Sequence, residues 1–304
     1  MVLITGAKGF LGRNISLFFH IQGYKVIGIG HGEWSEKEYG QFGISSWVNC
    51  HLTLDNIKKY AGKPEIIVHC AGSGSVKDSL FNPLNDFNRS VESLITILEF
   101  IRISHYNIRL IYPSSAAVYG KTNNKSISEN DFTIPNSPYG TNKLIGEELC
   151  KSYVNNFGCS IVIIRFFSLY GPFLKKQLLW DACNKLKKRD FTFYGTGFEI
   201  RDWLHINDAC NLIYKAAINK NYNFLIVNGS TNIGTSVATI LNKLFLLFGI
   251  EANPIFTTKI REGDPPNFVG DNTLALKEFD WKSSYLLDQG LLEYCNWFKS
   301  VSND

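Results

Sequence analysis

Residues 1–12 read Met-Val-Leu-Ile-Thr-Gly-Ala-Lys-Gly-Phe-Leu-Gly, an apolar run that passes directly into glycines at positions 6, 9 and 12. The run predicts a buried strand over Val2–Thr5, and the pattern behind it predicts a helix over Leu11–Gln22. A turn this tight needs Gly6 for backbone freedom, and Gly12 lets the helix approach the strand. Gly9 lets the main chain approach a pyrophosphate on the helix N-terminus. A glycine-rich turn without a ligand stays open on this motif alone.

The bulk composition is that of a folded, mildly basic protein. With 304 residues, of which 45% are hydrophobic and 19% charged, the chain can form one large α/β unit or two modest domains that share a cleft. The net charge of +4 is spread along the sequence, and no stretch interleaves aromatic and basic residues as RNA-binding surfaces do. We therefore expect no nucleic-acid partner.

The apolar and cysteine patterns favour a cytoplasmic protein. The first predicted strand starts at Val2, which leaves no room for a signal peptide, and the longest apolar run, around Leu241 to Ile250, is interrupted by Asn242 and Lys243. The seven cysteines include no Cys-x-x-Cys pair, and the six histidines are scattered. We expect reduced cysteines, no bound metal and no membrane partner.

Apolar runs alternate with helical patterns through the first two thirds of the chain. The predicted strands are Val2–Thr5, Lys25–Ile29, Ile66–Cys70, Arg109–Pro113 and Ser160–Phe166. The predicted helices between them are Leu11–Gln22, Asn85–Ile103 and Pro138–Phe157. This alternation predicts a Rossmann-type, doubly wound parallel sheet over residues 1–172. Shorter strands and further helices over 173–304 predict a smaller α/β substrate domain, with a soft boundary and interleaved lobes.

A second motif, Ser137-Pro-Tyr-Gly-Thr-Asn-Lys143, predicts a helix with reactive groups on one face. Ser137 suits the N-cap and Pro138 the first turn, so Tyr139 and Lys143 fall four residues apart on the same face. A lysine ammonium beside a tyrosine favours the phenolate, and we expect the pKa of Tyr139 to lie below its usual value of about 10. Such a tyrosine interconverts an alcohol and a ketone as general acid or base. An exposed amphipathic pair is the other interpretation.

Two serines follow the predicted strand Arg109–Pro113, in the stretch Ser114-Ser-Ala-Ala-Val-Tyr-Gly120. Ligands of α/β sheets bind beyond the carboxyl ends of the strands, so either hydroxyl can hydrogen-bond a substrate oxygen. Two serines in a loop are also typical of a simple turn.

Taken together, these motifs resemble the extended short-chain dehydrogenase/reductases, and most of all their nucleotide-sugar epimerase/dehydratase branch, the UDP-glucose 4-epimerase-like proteins. The resemblance covers nearly the whole chain. The further segments that carry it are Arg165-Phe-Phe-Ser-Leu-Tyr-Gly-Pro172, Gly195-Thr-Gly-Phe-Glu-Ile-Arg-Asp-Trp-Leu-His205 with Asp208, Arg261-Glu-Gly-Asp264 and Phe279-Asp-Trp281. It implies a nicotinamide cofactor and a nucleotide-diphosphate-sugar substrate.

The resemblance also implies roles for individual residues. Tyr139 corresponds to the catalytic acid or base, Lys143 to its activator and a ribose contact, and Ser115 to the hydroxyl that binds the reacting sugar oxygen. The residues expected to bind the cofactor are Gly6, Lys8, Gly9, Phe10, Leu11, Gly12, Gly30, His31, Ala71, Gly72 and Lys143.

Three more residues are expected to bind the substrate. Arg201 and Arg261 match arginines that bind the diphosphate in relatives, and guanidinium forks suit phosphate oxygens. Ser168 stands where relatives carry an asparagine. For Arg201, a structural ion pair with Asp202 or Asp208 stays open.

Two departures from the family pattern bear on the reaction. Relatives that prefer NAD end the second strand with an acidic residue, whereas this chain has Gly30-His31-Gly32 there, and Lys8 is placed to meet a 2′-phosphate. Both features favour NADP(H) slightly over NAD(H). Family dehydratases carry an Asp-Glu pair after the hydroxyl residue, and the Ala116-Ala117 found here disfavours a 4,6-dehydratase.

The sequence therefore predicts an NAD(P)-dependent enzyme that transfers a hydride at C4 of a nucleotide-activated hexose. The narrowly preferred interpretation is a reductase of 4-keto sugars. The alternatives are a 4-epimerase with captive NAD and a non-catalytic nucleotide sensor on the same fold. The resemblance also implies a homodimer paired through the helices Asn85–Ile103 and Pro138–Phe157, and a role in polysaccharide precursor synthesis. The apolar stripe on the first helix is compatible with either a dimer surface or core packing.

Overall fold

Strands and helices alternate along the chain in the computed structural model, which describes residues 1–104, 107–122, 126–259 and 267–302. The strands are β1 (Val2–Thr5), β2 (Val26–Gly30), β3 (Ile44–Asn49), β4 (Ile66–His69), β5 (Arg109–Ser115), β6 (Ser160–Phe166), β7 (Ser168–Tyr170), β8 (Thr192–Phe193), β9 (Ile200–His205), β10 (Phe224–Gly229), β11 (Gly234–Ser236), β12 (Ile255–Phe256) and β13 (Asn267–Phe268).

The helices make up the outer layers of the molecule. They are α1 (Phe10–Ile21), α2 (Glu36–Gly40), α3 (Leu54–Tyr60), α4 (Val76–Phe81), α5 (Pro83–Phe87), α6 (Ser93–Ser104), α7 (Pro138–Phe157), α8 (Gln177–Lys187), α9 (Ile206–Ile218), α10 (Val237–Leu247), α11 (Thr273–Phe279) and α12 (Leu287–Val301). Within the described ranges, no helix combines the length and the apolarity that crossing a bilayer requires.

A seven-stranded parallel sheet lies at the centre, with the order β3-β2-β1-β4-β5-β6-β10. Both of its faces are covered, and β6 shows why its sequence is apolar throughout. Val162 and Ile164 pack into the core on one face, while Ile161 and Ile163 pack into the core on the other. A parallel strand between two helical layers needs this continuous apolar run. The predicted Rossmann-type fold is confirmed.

The turn between β1 and α1 depends on two of its glycines. Gly6 has a φ of 66°, and a Cβ there would lie 2.7 Å from the backbone nitrogen of Ala71. A Cβ on Gly12 would lie 2.2 Å from the carbonyl oxygen of Gly6. Only glycine permits both the left-handed backbone and the close approach of helix to strand.

Helix α7 begins and ends where the sequence predicted. The Ser137 hydroxyl accepts a hydrogen bond from the Gly140 amide at 3.1 Å, and Pro138 occupies the first turn. Gly158 ends the helix with a left-handed φ of 68°. A side-chain N-cap and a glycine C-cap satisfy backbone groups that the helix itself leaves unpaired.

The predicted helix Asn85–Ile103 consists of three pieces in the structure. Helices α5 and α6 are joined by a π-helical turn, Asn88–Glu92. Leu94, Leu98 and Ile101 are buried in the core between α6, α7 and the sheet. Most of the apolar stripe is therefore core packing.

The C-terminal part of the chain does not form its sheet separately from the N-terminal part. Strand β10, which lies in the region where only shorter strands of a second domain were predicted, is at the edge of the central sheet beside β6. Strands β7, β9, β11 and β13 form a smaller sheet, and β8 pairs with β12. The division at residue 172 stays a prediction. Strand β3 was not predicted, because its edge position leaves much of it exposed and polar.

Candidate active site

The carboxyl end of β5 brings Ser115 next to the first turn of α7. Ser115 caps a short 3₁₀ turn, Ala116–Val118, and its hydroxyl accepts a hydrogen bond from the Ala117 amide at 3.2 Å. The side chains of Ser115 and Tyr139 are hydrogen-bonded to each other. The Tyr139 amide donates to the Ser79 hydroxyl at 3.1 Å, which ties the start of α7 to α4. Two of the predicted catalytic groups are thus in direct contact.

Lys143, one helical turn after Tyr139, is almost fully buried. Its ammonium donates to the Pro113 carbonyl oxygen at 2.8 Å and lies 4.9 Å from the centre of the Tyr112 ring. Burial lowers the pKa of Lys143 from its ordinary value of 10.5 to about 8, against the opposing effect of nearby Cys70 and Asp86. The lysine therefore remains charged near neutral pH at a cost in desolvation.

The pKa of Tyr139 differs from the sequence prediction. Burial raises it above its ordinary value, the hydrogen bond with Ser115 lowers it, and the charge of Asp86 raises it. The expectation that Lys143 brings this pKa below its usual value is wrong for the structure described. The physical reason is desolvation, which disfavours the phenolate, while the Lys143 ammonium is directed to the Pro113 carbonyl.

The glycine turn presents an anion site at the N-terminus of α1. Gly9 is the N-cap, and no side chain among the described residues caps this helix, so the amides after it, including those of Phe10 and Leu11, are available. A cavity of about 320 Å³ opens there. Its lining residues are Lys8, Phe10, Arg13, Phe173, Leu174, Lys175 and Lys176. Four cationic side chains around free helix amides fit the pyrophosphate of a dinucleotide.

The neighbouring strand ends lie beside this turn. The Ala71 amide donates to the Thr5 hydroxyl at 3.3 Å, and Gly72 has a φ of 137°, where side chains are rarely tolerated. A Cβ on Gly72 would lie 3.5 Å from the hydroxyl oxygen of Ser90, in the π-helical turn. Ala71 and Gly72 therefore lie between the end of β1 and the π-helical turn, and neither has a side chain larger than a methyl group.

The end of β2 explains why no carboxylate stands there. A Cβ on Gly30 would lie 2.9 Å from the Trp47 ring, so the tryptophan of β3 occupies the space that a longer side chain would need. The Lys8 ammonium donates to the Glu33 carbonyl oxygen. The Glu33 carboxylate accepts a hydrogen bond from Asn49 at 3.0 Å, while the His31 ring lies exposed.

The expected substrate residues lie on the smaller sheet. Ser168 on β7 and Arg201 on β9 are both half-buried, on strands that pair in parallel. The Asp202 carboxylate accepts hydrogen bonds from the amides of Thr231 and Asn232, at 2.7 and 2.9 Å, and burial raises its pKa to about 6. The Asp208 carboxylate instead binds the amides of Ser284 and Tyr285. Arg261 lies outside the described residues.

The sequence prediction missed three polar residues near these groups. The Arg13 guanidinium donates to the Lys8 carbonyl oxygen and lies within 5.5 Å of the rings of Trp34, Phe42 and Phe173. Lys176, at the start of α8, donates to the carbonyl oxygen of Gly74, in the loop between β4 and α4, at 2.9 Å. Asp86 is buried against α7. No pattern along the chain indicates any of these three residues.

A comparison with protein families shows which family the chain belongs to. The model of the NAD dependent epimerase/dehydratase family matches residues 2–234. The chain belongs to this family. It is an enzyme of the short-chain dehydrogenase/reductase kind, as the sequence motifs predicted, and NAD dependence is a property of the family as a whole.

Individual relatives in this family are distant but match end to end. A UDP-glucose 4-epimerase of Oryza sativa subsp. japonica is 27% identical, covering 97% of this chain and 89% of its own. The CDP-paratose 2-epimerase of Salmonella typhi is 27% identical over 99% of both chains. The structure of a UDP-glucose 4-epimerase from Thermotoga maritima has a TM-score of 0.89 at 21% identity, covering 99% of both chains, which shows a shared fold.

Replacing Lys143 by methionine is expected to stabilise the protein without ligands. Below pH 8 the folded and unfolded states both carry this charge, so the desolvation cost is fully present; between pH 8 and 10.5 the unfolded state binds more protons, and stability rises with pH. At pH 7 we expect Lys143→Met to raise the free energy of unfolding by about 1 to 3 kcal/mol, after loss of the Pro113 bond. Urea unfolding at several pH values measures this gain.

The gain should shrink as the pH rises towards 10. Lys151→Met, an exposed position on the same helix, is the matched control and should change stability little at any pH. A gain that is absent, or that is equal at pH 7 and pH 10, would contradict the assigned cost of burying Lys143.

Proposed function

We propose that this enzyme epimerises a nucleotide-diphosphate hexose at C4, with NAD retained through the catalytic cycle. The observation that carries the proposal is the hydrogen-bonded Ser115 and Tyr139 at the carboxyl edge of the sheet, with Lys143 one turn further along α7. This group of residues can remove the proton from one hydroxyl group and return it, which the oxidation and re-reduction of a sugar carbon require. The Oryza sativa relative, named as a UDP-glucose 4-epimerase and matched over 97% of this chain, supports the same reaction.

The chain's own residues would act as follows. Ser115 would hold the C4 oxygen. Tyr139 in its phenolate form would accept the proton during oxidation and return it during reduction, and the positive charges of Lys143 and of a bound nicotinamide would favour that phenolate over the phenol of the ligand-free site. A nicotinamide bound beside them supplies the acceptor and donor of the hydride. The keto sugar must present its other face between the two transfers. Arg201 and Arg261 would bind the diphosphate, and Ser168 the sugar.

The cofactor would lie along the edge formed by β1, β2 and β4. Its pyrophosphate would contact the Gly6–Gly12 turn and the amides of Phe10 and Leu11, with Lys8 nearby. Gly30 and His31 would border the adenosine, and Ala71 and Gly72 the nicotinamide half, where Lys143 reaches the ribose. The glycines without side chains leave room for this approach.

The two residues directly after Ser115 disfavour dehydration. Elimination of water needs an acid and a base beside the reacting carbon, and the 3₁₀ turn there carries Ala116 and Ala117 instead. The proposed reaction therefore ends with the hydride returned to C4.

A second candidate is the 4-keto-sugar reductase with NADP(H). The observation that favours it is the end of β2, where Trp47 excludes a side chain at Gly30 and the Lys8 ammonium lies close to Gly32. A strand end that lacks a carboxylate and has a cation nearby suits a 2′-phosphate. The epimerase is preferred because its cofactor agrees with the NAD dependence of the family.

The cofactor that purifies with the protein separates these two candidates. We expect denatured, freshly purified protein to release NAD in a ratio near one per chain, identified by mass spectrometry. NADP(H), or an empty site together with rapid consumption of added NADPH on a 4-keto sugar, would favour the reductase instead. The two outcomes differ because an epimerase needs no net exchange of cofactor.

The reaction itself is tested with UDP-glucose and UDP-glucuronic acid that carry deuterium at C4. We expect the C4 epimer to form with the label retained, without net change in nicotinamide absorbance, because the hydride returns to the carbon it left. Tyr139→Phe should lower the rate about a hundred- to ten-thousand-fold. Tyr60→Phe, on the partly exposed end of α3, should leave it unchanged. Loss of the deuterium to solvent would refute this mechanism.

We also propose a homodimer, paired through α7 and its neighbours. Phe81 and Leu84, on α4 and α5, are 80% and 70% exposed, and a groove beside Ile145 on α7 is largely apolar. We expect sedimentation velocity at micromolar concentration to give a dimer and Ile145→Glu to give a monomer. Leu246→Glu, at an exposed position on α10, should leave the dimer intact. A wild-type monomer at that concentration would refute the pairing.

A further inference from the structure

Asp86 is a buried carboxylate that none of the roles above uses. Its side chain is 3% exposed, in the short helix α5, where it packs against α7. One oxygen, Oδ2, accepts a hydrogen bond from the Asn142 side chain at 2.7 Å. The other, Oδ1, is buried and has no hydrogen-bond partner among the described residues. Because a buried carboxylate with half of its acceptor capacity unused is costly, its position needs an explanation.

The partner of Asp86 is the residue that directly precedes Lys143. Asn142 is itself buried, with 6% of its surface exposed, so the contact is shielded from water on both sides. It joins α5 to α7 between Tyr139 and Lys143. A hydrogen bond to a charged acceptor is strong where water is excluded. This one fixes the orientation of α7, which carries both catalytic side chains, about the helix axis.

The charge of Asp86 also reaches both catalytic groups. It raises the pKa of Tyr139 and it raises the pKa of Lys143. The other groups that face this pair come from every element around it. They are Ser115 and Tyr112 on β5, His69 and Cys70 at the end of β4, and Glu147 and Cys150 on α7.

We propose that Asp86 is a positioning residue for proton transfer, which orients α7 through its buried hydrogen bond with Asn142 and places a negative charge near Tyr139 and Lys143. Glu147 also favours the charge of Lys143, but its carboxylate is paired with Arg165 at 2.6 Å. The inference rests on the proposed roles of Tyr139 and Lys143. It adds a residue outside the predicted Ser, Tyr and Lys, on a different helix.

The test is Asp86→Asn in the enzyme with its bound cofactor. The asparagine oxygen can still accept the bond from Asn142, so the variant removes the charge and keeps the anchor. Loss of that charge lowers the pKa of Tyr139 and of Lys143 together, so both limbs of the pH–rate profile should move to lower pH, by roughly half a unit to one unit.

A purely structural role predicts a different result. Asp208→Asn removes another buried carboxylate, one that binds the amides of Ser284 and Tyr285 and does not contribute to the pKa shifts of Tyr139 or Lys143. We expect that control to lower stability without moving either limb. If Asp86→Asn behaves in the same way, with a lower rate and an unmoved profile, the proposal is overturned.

A readout without catalysis keeps this inference separate from the proposed function. Tyrosine labelled with ¹³C at Cζ reports phenol ionisation by NMR, and the Tyr139 signal is the one that disappears in Tyr139→Phe. We expect its titration midpoint to fall in Asp86→Asn relative to wild type and to stay in place in Asp208→Asn. If the titration midpoint of Tyr139 is unchanged in Asp86→Asn, the proposed role of Asp86 is refuted even in an active epimerase. A shifted midpoint would uphold the charge effect even if no nucleotide sugar were turned over.

Discussion

The ion pair between Arg165 and Glu147 connects the elements on which the site depends. Arg165 on β6 donates to the Glu147 carboxylate on α7 at 2.6 Å, and both side chains are buried. Ser114 at the end of β5 donates to the same carboxylate, and the Arg165 guanidinium also donates to the Tyr119 hydroxyl at 3.0 Å. A buried pair is costly to desolvate and more costly to break, so its partners hold one arrangement. Helix α7 is therefore fixed against β5, which ends at Ser115, and against β6, which precedes Ser168.

Burial also explains how the catalytic groups are kept at rest. Desolvation opposes the charge of Lys143 and the ionisation of Tyr139, and the buried carboxylates of Asp86 and Glu147 favour the lysine charge. The resting site thus holds a phenol and an ammonium. Nearby charges change the pKa of Tyr139 in such a site. A cation brought close to Tyr139 lowers that pKa, because it favours the phenolate. The desolvation of Lys143 lowers the stability of the folded protein.

Family membership and the local structure answer different questions. The family match and the fold identify an NAD-dependent enzyme with a Rossmann-type sheet, whereas the choice between epimerase and reductase depends on the end of β2. There, Gly30 has no side chain, and a Cβ at this position would lie 2.9 Å from the Trp47 ring. Lys8, His31 and the Glu33–Asn49 pair are the polar groups that remain around it. Ser168 and Arg201, the proposed substrate contacts, come from a separate, smaller sheet.

Local sequence patterns determined the main elements of this protein. The apolar run and glycines of residues 1–12 predicted β1 and α1, and Ser137 with Pro138 predicted the start of α7, because capping and turn chemistry act between near neighbours. Tertiary structure alone decided the π-helical turn at Asn88–Glu92, the return of β10 to the central sheet and the raised pKa of Tyr139. Each of these depends on burial or on contacts between residues far apart in the chain. Periodicity along the sequence carries no information about either, which is why the contact between Asp86 and Asn142 appeared only once α5 was packed against α7.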